Sequence, residues 1–132
     1  MKKVLIILCL FFCFTAFAIA DAPFSEPTQD PTVRYRLFPT QNIYTFLKLD
    51  TMTGKIWQVQ FSTKGSEYRF ESVLSDVDIP TLESCRKEVG RYTLFPTQNM
   101  YNFILLDQID GNTYQVQWHG DEENRAVIPI SY

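Results

Sequence analysis

The chain has few of the residues on which metal and thiol chemistry depends. Its 132 residues include three cysteines and one histidine. Cys9 and Cys13 lie in an apolar N-terminal run, so beyond it only Cys85 remains, which excludes a disulfide framework within one chain. A zinc site needs several histidine, cysteine or carboxylate ligands close together. We therefore expect no metal site and no cofactor, and we expect Cys85 to be a partly buried, inert thiol.

Catalytic motifs are also missing, which makes an enzyme the less favoured class. The sequence contains neither a G-x-S-x-G motif nor a glycine-rich phosphate loop. His119 precedes the acidic segment 121–123, which lacks the spaced oxygen ligands of a calcium loop and is expected to be solvated. Asp50 and Asp107 would suit a small hydrolase only if their loops converged. We expect each to cap its own hairpin instead.

Residues 1–20 have the order of features that is typical of a secretory signal peptide. A basic start is followed by an apolar run over residues 4–14, and Ala18-Ile19-Ala20 matches an A-x-A cleavage site. We predict cleavage near Ala20 and export to the periplasm or the medium, with no stable membrane anchor afterwards. The alternative is a retained membrane anchor, since a spanning helix needs about 20 apolar residues.

The charge of the remaining chain is mildly acidic. Removing Lys2 and Lys3 from the twelve basic residues leaves ten against fifteen acidic ones, a formal charge of −5. An acidic surface argues against nucleic acid or an anionic bilayer as a partner. An acidic exported chain of this size would also suit a periplasmic inhibitor or immunity-type protein, because opposite charge speeds the capture of a basic partner.

An internal repeat organises the rest of the sequence. Residues 34–61 and 91–118 align without a gap at an offset of 57 residues, and 16 of the 28 aligned positions are identical. The segment Arg34-Tyr35 to Asn42, with the run F-P-T-Q-N, recurs as Arg91-Tyr92 to Asn99. The two units are therefore expected to share one backbone fold.

Each unit has the pattern of a β-meander. In the first unit we predict strands at 34–38, 43–49, 56–61 and 68–74, joined by a turn at 39–42 and a hairpin loop at 50–54. In the second unit the corresponding last strand is at 126–130. This predicts an all-β fold in which two tandem four-stranded antiparallel meanders form an eight-stranded barrel or sandwich with internal pseudo-two-fold symmetry.

The domain organisation follows from the repeat. We predict an extended, proline-containing leader at 21–33, repeat 1 at 34–74, a linker at 75–90 and repeat 2 at 91–132, all in one β domain. Within the linker, residues 81–89 are expected to form a short helix with Thr81 as N-cap and Gly90 as the stop.

The third strand of each unit alternates clearly between apolar and polar residues. We expect its apolar set to lie in the core and its glutamines to point the other way. The predicted core residues are Trp57, Val59 and Phe61 in repeat 1 and Tyr114, Val116 and Trp118 in repeat 2. The second strand is apolar on both faces, which indicates a central strand or a barrel wall.

The segment Leu49-Asp50-Thr51-Met52-Thr53-Gly54-Lys55-Ile56-Trp57 resembles the L-D-x-x-T-G-x-x-W hairpin of quinoprotein-type propeller blades. Two units cannot close a propeller, which takes at least about four blades. The resemblance therefore implies no quinone or metal site. The tandem unit as a whole resembles small exported bacterial proteins of unknown function, which implies an architecture but no activity.

A repeated set of amide and aromatic side chains is the candidate ligand-binding site. Amides both donate and accept hydrogen bonds, and rings supply flat apolar area, so together they suit sugars or peptide backbone. The alternative is that the glutamines merely line the exposed side of a sheet. The candidate residues are Gln58, Gln60, Gln115, Gln117, Tyr44 and Tyr101.

The leading functional hypothesis is a non-enzymatic binding module outside the cytoplasm, with a protein or a glycan as its partner. The alternatives are the periplasmic inhibitor and, less favoured, a small carboxylate-dependent hydrolase. If the eight strands do not close, their open edges would allow copies of the chain to pair as a homo-oligomer.

Overall fold

Alternating side chains and tight turns fold each repeat into a four-stranded antiparallel sheet. In the computed structural model, which describes residue 30 and residues 32–131, the all-β prediction and the two similar units are confirmed. The predicted signal peptide at 1–20 lies outside the described residues, as does most of the predicted leader at 21–33.

The strands follow one another in space as they do in sequence. Sheet 1 has the order β1-β2-β3-β4 and sheet 2 the order β5-β6-β7-β8, every neighbouring pair being antiparallel. Their bounds are β1 Tyr35–Pro39, β2 Thr45–Asp50, β3 Ile56–Gln60, β4 Phe70–Ser75, β5 Tyr92–Pro96, β6 Asn102–Asp107, β7 Thr113–Gln117 and β8 Ala126–Ile130. A short 3₁₀ turn precedes each last strand, at Ser66–Tyr68 and Glu122–Asn124.

The eight strands form two separate sheets and not a closed barrel. Among the described residues no strand of sheet 1 pairs with a strand of sheet 2. Instead, one face of each sheet packs against the other sheet, and a single apolar core lies between them. The barrel prediction is therefore wrong, because no strand ladder joins the two sheets. Their contact is made by side chains together with a hydrogen bond from the Tyr92 amide to the Thr51 carbonyl at 2.9 Å.

The two sheets bury opposite faces of the same repeat. Sheet 1 contributes the side chains of Phe38, Leu47, Leu49, Ile56 and Gln58 to the contact. Sheet 2 contributes Tyr92, Leu94, Phe103, Leu105, Tyr114, Val116 and Trp118, whose equivalents in repeat 1 lie on the far face of sheet 1. The sheets thus stack in the same sense, front to back. A two-fold pair would require equivalent faces to meet, and here opposite faces meet.

This stacking corrects half of the predicted core. Tyr114, Val116 and Trp118 are buried as expected. Their equivalents in repeat 1 are not, because they lie on the open face of sheet 1, where Phe61 keeps 44% of its surface exposed. The glutamine between them, Gln58, is buried instead. The alternation was identified correctly, but the face that enters the core differs between the repeats.

The linker helix is shorter and earlier than the sequence suggested. It spans Ile79–Leu82, and its N-cap is Asp78, whose Oδ1 accepts a hydrogen bond from the Thr81 amide at 3.1 Å. Pro80 in the first turn fixes a helical φ and needs no amide partner, which favours this start. The predicted helix at 81–89 with Thr81 as N-cap is wrong. In the part of the chain that the structure describes, no helix has the length and apolar character to cross a membrane.

Ile79 fastens this helix to the hairpin loop of sheet 1. Its amide donates to the Thr53 carbonyl at 3.0 Å, and its side chain is buried beside Gly54. Gly54 has φ +78°, and a Cβ built there would lie 2.6 Å from Ile79 Cδ1. Gly54 is therefore required both for its positive φ and for the close approach of the linker.

The equivalent glycine in sheet 2 separates these two requirements. Gly111 has φ +79°, and a Cβ built there would meet no atom within 4 Å. We predict that Gly111→Ala loses only the backbone preference, about 1 kcal/mol, whereas Gly54→Ala loses this and about 1–3 kcal/mol more from overpacking against Ile79. Urea unfolding followed by tryptophan fluorescence would measure both. Equal losses would contradict the contact.

Candidate functional site

Two copies of the F-P-T-Q-N turn lie side by side at one end of the stacked sheets. The groove between them has a volume of about 390 Å³. Its lining residues are Pro39, Thr40, Gln41, Asn42, Ile43, Thr45 and Phe46 from repeat 1 and Pro96, Thr97, Asn99, Met100, Asn102 and Phe103 from repeat 2. The most strongly repeated segment of the sequence thus meets its own copy here.

Hydrogen bonds within each turn account for its threonine and asparagine. Thr40 Oγ1 donates to the Thr45 carbonyl at 2.8 Å and accepts from the Asn42 amide at 3.1 Å. Asn42 Oδ1 accepts from the Tyr44 amide at 2.9 Å. The second turn repeats all three bonds with Thr97, Asn99 and Tyr101 at 2.9, 3.2 and 3.0 Å. These residues hold the turn, and their identity in both repeats has a structural cause.

The groove itself is walled mainly by carbon atoms. Its apolar lining includes Phe103, whose side chain is buried between the sheets, and Ile43 and Met100, which occupy equivalent positions in the two repeats. Ile43 is 73% exposed, so its side chain is open to a ligand. The exposed amide of Gln41 supplies a polar group at the rim. Such a groove can hold an apolar side chain and offer one polar contact beside it.

The six predicted site residues do not gather in one cleft. Gln58 and Gln60 lie with Tyr101 beside a smaller cleft of about 200 Å³ between the sheets, which also contains Trp118 and His119. Gln60 also lines a second cleft, together with Tyr44 and Phe61. Gln115 and Gln117 lie apart from both clefts, on the outer face of sheet 2. A ligand role for the set stays a prediction.

Each of the four glutamines has a hydrogen-bond partner within the chain. Gln58 Oε1 accepts from the His119 amide of sheet 2 at 3.1 Å, so it joins the two sheets. Gln115 Nε2 donates to Asn102 Oδ1 at 2.9 Å. Gln60 and Gln117 donate to carbonyls of the 3₁₀ turns, at Tyr68 and Asn124, at 3.3 and 2.8 Å. The glutamines therefore hold neighbouring segments together.

Sequence analysis missed the apolar part of the groove. Ile43 and Met100 directly follow the turn asparagines, and both repeats place an apolar residue there. An apolar residue at an exposed turn position was the available signal. Only the stacking of the two sheets brings the two turns together, and no local pattern indicates that.

The two repeated aspartates each cap their own hairpin, as expected. Asp50 Oδ1 accepts from the Met52 amide at 3.0 Å, and Asp107 Oδ1 accepts from the Ile109 amide at 3.0 Å. Each also forms a bidentate pair with the arginine that opens its repeat. Arg34 donates to Asp50 at 3.1 and 2.9 Å, and Arg91 donates to Asp107 at 3.1 and 2.7 Å.

These pairs fix the charge state of the aspartates. Burial disfavours the charged form of each carboxyl, but the arginine and the loop amides outweigh it and hold the pKa of Asp50 and of Asp107 below the ordinary value of 3.8. Both are therefore carboxylates at neutral pH, each occupied by its own loop and arginine. A general acid needs a raised pKa, and these two groups have the opposite shift.

The environments of the two pairs differ, and this predicts unequal costs of breaking them. Arg91 is 1% exposed beside a fully buried Asp107, whereas Arg34 is 44% exposed. Arg91→Met leaves a buried charge without its cation and is expected to cost about 3–5 kcal/mol. Arg34→Met is the matched control and should cost clearly less, because Arg34 is itself partly exposed and lacks the further bonds that Arg91 makes to Asp110 and to the Arg86 carbonyl. Urea unfolding would measure both, and equal losses would contradict the assignment.

The same pairs predict a loss of stability in acid. Since both pKa values are lower in the folded chain, the unfolded chain binds more protons as the pH falls below 3.8, the ordinary carboxyl value. The stabilisation is complete above that pH and is lost as the pH drops through the folded pKa values. We expect the unfolding free energy to fall below pH 3.8, and to fall less steeply in Arg91→Met. An identical slope in the variant would count against the Arg91–Asp107 pair.

The remaining titratable candidates lie apart from the groove. The acidic segment 121–123 is exposed, as expected. Among the described residues, no three histidine, cysteine or acidic side chains are placed to hold a metal ion. Cys85 is a half-buried free thiol, which agrees with the expected partial burial.

No protein-family model, no curated protein and no solved structure matches this chain.

Proposed function

We propose that this chain is an exported, non-enzymatic binding module, and that the groove between its two F-P-T-Q-N turns receives an apolar side chain of a protein ligand. The observation that carries the proposal is the groove itself, about 390 Å³ in volume and open to solvent between two copies of one motif. This volume falls in the range of small-ligand pockets, about 300–1,000 Å³. In this proposal the two stacked sheets form a sandwich, and the sandwich holds the two turns next to each other.

The lining favours a protein ligand over a glycan. Sugar recognition uses exposed ring faces together with many polar groups. Here Phe103 is buried, and the threonine and asparagine side chains are engaged in the turns. What remains open is an apolar mouth at Ile43 and Met100 with the Gln41 amide beside it. An extended peptide can place one apolar side chain in such a groove and bond its backbone to the amide.

A second candidate is the periplasmic inhibitor. It is favoured by the acidic segment 121–123, whose three carboxylates are all exposed around one 3₁₀ turn. A basic partner captured there would bind less tightly at high salt, because surface charges are screened. Binding in the apolar groove should depend little on salt.

The test is selection of a phage-displayed random peptide library on the purified protein, followed by titration of the selected peptides. Ile43→Glu places a charge in the groove and should weaken binding by about tenfold or more, a loss of roughly 1.4 kcal/mol or more. Leu82→Glu is the matched control, because Leu82 is 74% exposed on the linker helix, outside the groove, against 73% for Ile43. It should bind as the wild type does.

Three results would reject this groove as the site. These are selected peptides that bind Ile43→Glu as well as the control, peptides that bind only at low salt, and a response to a glycan array without any peptide. Of these, the salt-dependent result would favour the inhibitor.

A further inference from the structure

Among the described residues, each sheet has one largely apolar face that no other element covers. On sheet 1 the open face carries exposed or half-buried large side chains. They are Tyr35, Leu37, Phe46, Trp57, Val59, Phe61 and Val73. On sheet 2 the open face likewise carries Phe95, Ile104, Leu106, Ile128 and Ile130. Many exposed apolar side chains on one face are typical of an interaction site.

The repeat relates these two open faces to the contact inside the chain. At the offset of 57 residues, Tyr35, Leu37 and Trp57 on the open face of sheet 1 correspond to Tyr92, Leu94 and Tyr114, which sheet 2 buries against sheet 1. In turn, Phe95, Ile104 and Leu106 on the open face of sheet 2 correspond to Phe38, Leu47 and Leu49, which sheet 1 buries against sheet 2. The chain thus exposes one more copy of each half of its own internal contact.

We propose that copies of this chain stack head to tail, with the open face of sheet 2 of one copy packed on the open face of sheet 1 of the next. The contact between copies would repeat the sheet 1–sheet 2 contact within the chain. Because the two surfaces differ, the contact is heterologous, and it closes into a ring when the rotation from sheet to sheet divides a full turn. Rings of stacked four-stranded sheets typically hold about four to eight sheets, which corresponds to two to four copies.

The hydrogen bond across the internal contact has its counterpart at the proposed one. Within the chain, Gln58 Oε1 accepts from the His119 amide of the neighbouring sheet. At the offset of 57 residues the equivalent pair is Gln115 and Ser62. Gln115 lies half-buried on the open face of sheet 2, facing the position that the next copy would take.

One residue makes the contact between copies weaker than the internal one. Lys48 of repeat 1 is equivalent to Leu105 of repeat 2, and Leu105 is fully buried in the internal contact. Lys48 forms an ion pair with Glu71, and its Nζ lies 4.8 Å from the centre of the Trp57 ring. Stacking would remove this pair from water, which opposes burial. Lys48→Leu should therefore shift the equilibrium toward the assembly.

The test is the mass in solution, measured by light scattering after size-exclusion chromatography on protein purified after export from a bacterial host. We expect a discrete mass of about two to four single chains, reached at lower concentration by Lys48→Leu. Leu37→Glu and Ile128→Glu each place a charge on one open face and should give single chains. Leu82→Glu lies on neither face and should behave as the wild type.

A mixture of the two charged variants tests the head-to-tail order. Ile128→Glu keeps an intact sheet 1 face and Leu37→Glu keeps an intact sheet 2 face, so together they should form one contact and a 1:1 heterodimer. A back-to-back dimer would lose assembly in one variant only and would form no such heterodimer. The proposal would be overturned by a back-to-back dimer, or by a single-chain mass for both the wild type and Lys48→Leu. A mass that grows without limit with concentration would also overturn it. None of these results depends on peptide binding in the groove.

Discussion

The packing of one face of sheet 1 against the opposite face of sheet 2 is the contact on which the rest of the structure depends. A four-stranded sheet alone has no core, because each of its faces meets water unless another layer covers it. Here the fully buried Leu47, Leu49 and Ile56 of one sheet meet the fully buried Tyr92 and Leu105 of the other. The groove and the Gln58 bond to the His119 amide exist only because of this contact.

The same contact explains what the sequence could and could not predict. Strand positions were predicted to within about two residues, since alternation and turn residues are local signals. The buried face of sheet 1 was not predicted correctly, because its third strand carries apolar residues on both sides. Trp57 and Val59 alternate with Gln58, and Ile56 precedes them. The repeat suggested that equivalent residues are buried in both units. Front-to-back stacking requires the reverse, and it buries Gln58 in place of Trp57.

The groove could not be predicted from the sequence for a related reason. A turn was expected at 39–42, but Pro39 is the last residue of β1 and the connection to β2 spans residues 40–44. Its hydrogen bonds explain why both copies have threonine and asparagine. That the two turns adjoin depends on how the sheets stack, a long-range property. The linker helix illustrates a local competition instead. Asp78 and Thr81 are both good N-caps, and Pro80 favours the earlier start by fitting the first turn of the helix.

The repeats differ at some positions on the faces that stack, and these differences follow from which face is buried inside the chain. Turn residues are identical because both backbones need them. On the stacking faces, Leu105 is matched by Lys48 and Ile56 by Thr113. In both pairs the more apolar residue lies inside the chain and the more polar one on an open face. Apolar substitution at the internal contact strengthens the fold of one chain, and polar substitution at the open faces keeps a single chain soluble. A stack of copies built on these faces would therefore be weaker at each contact between copies than within each copy.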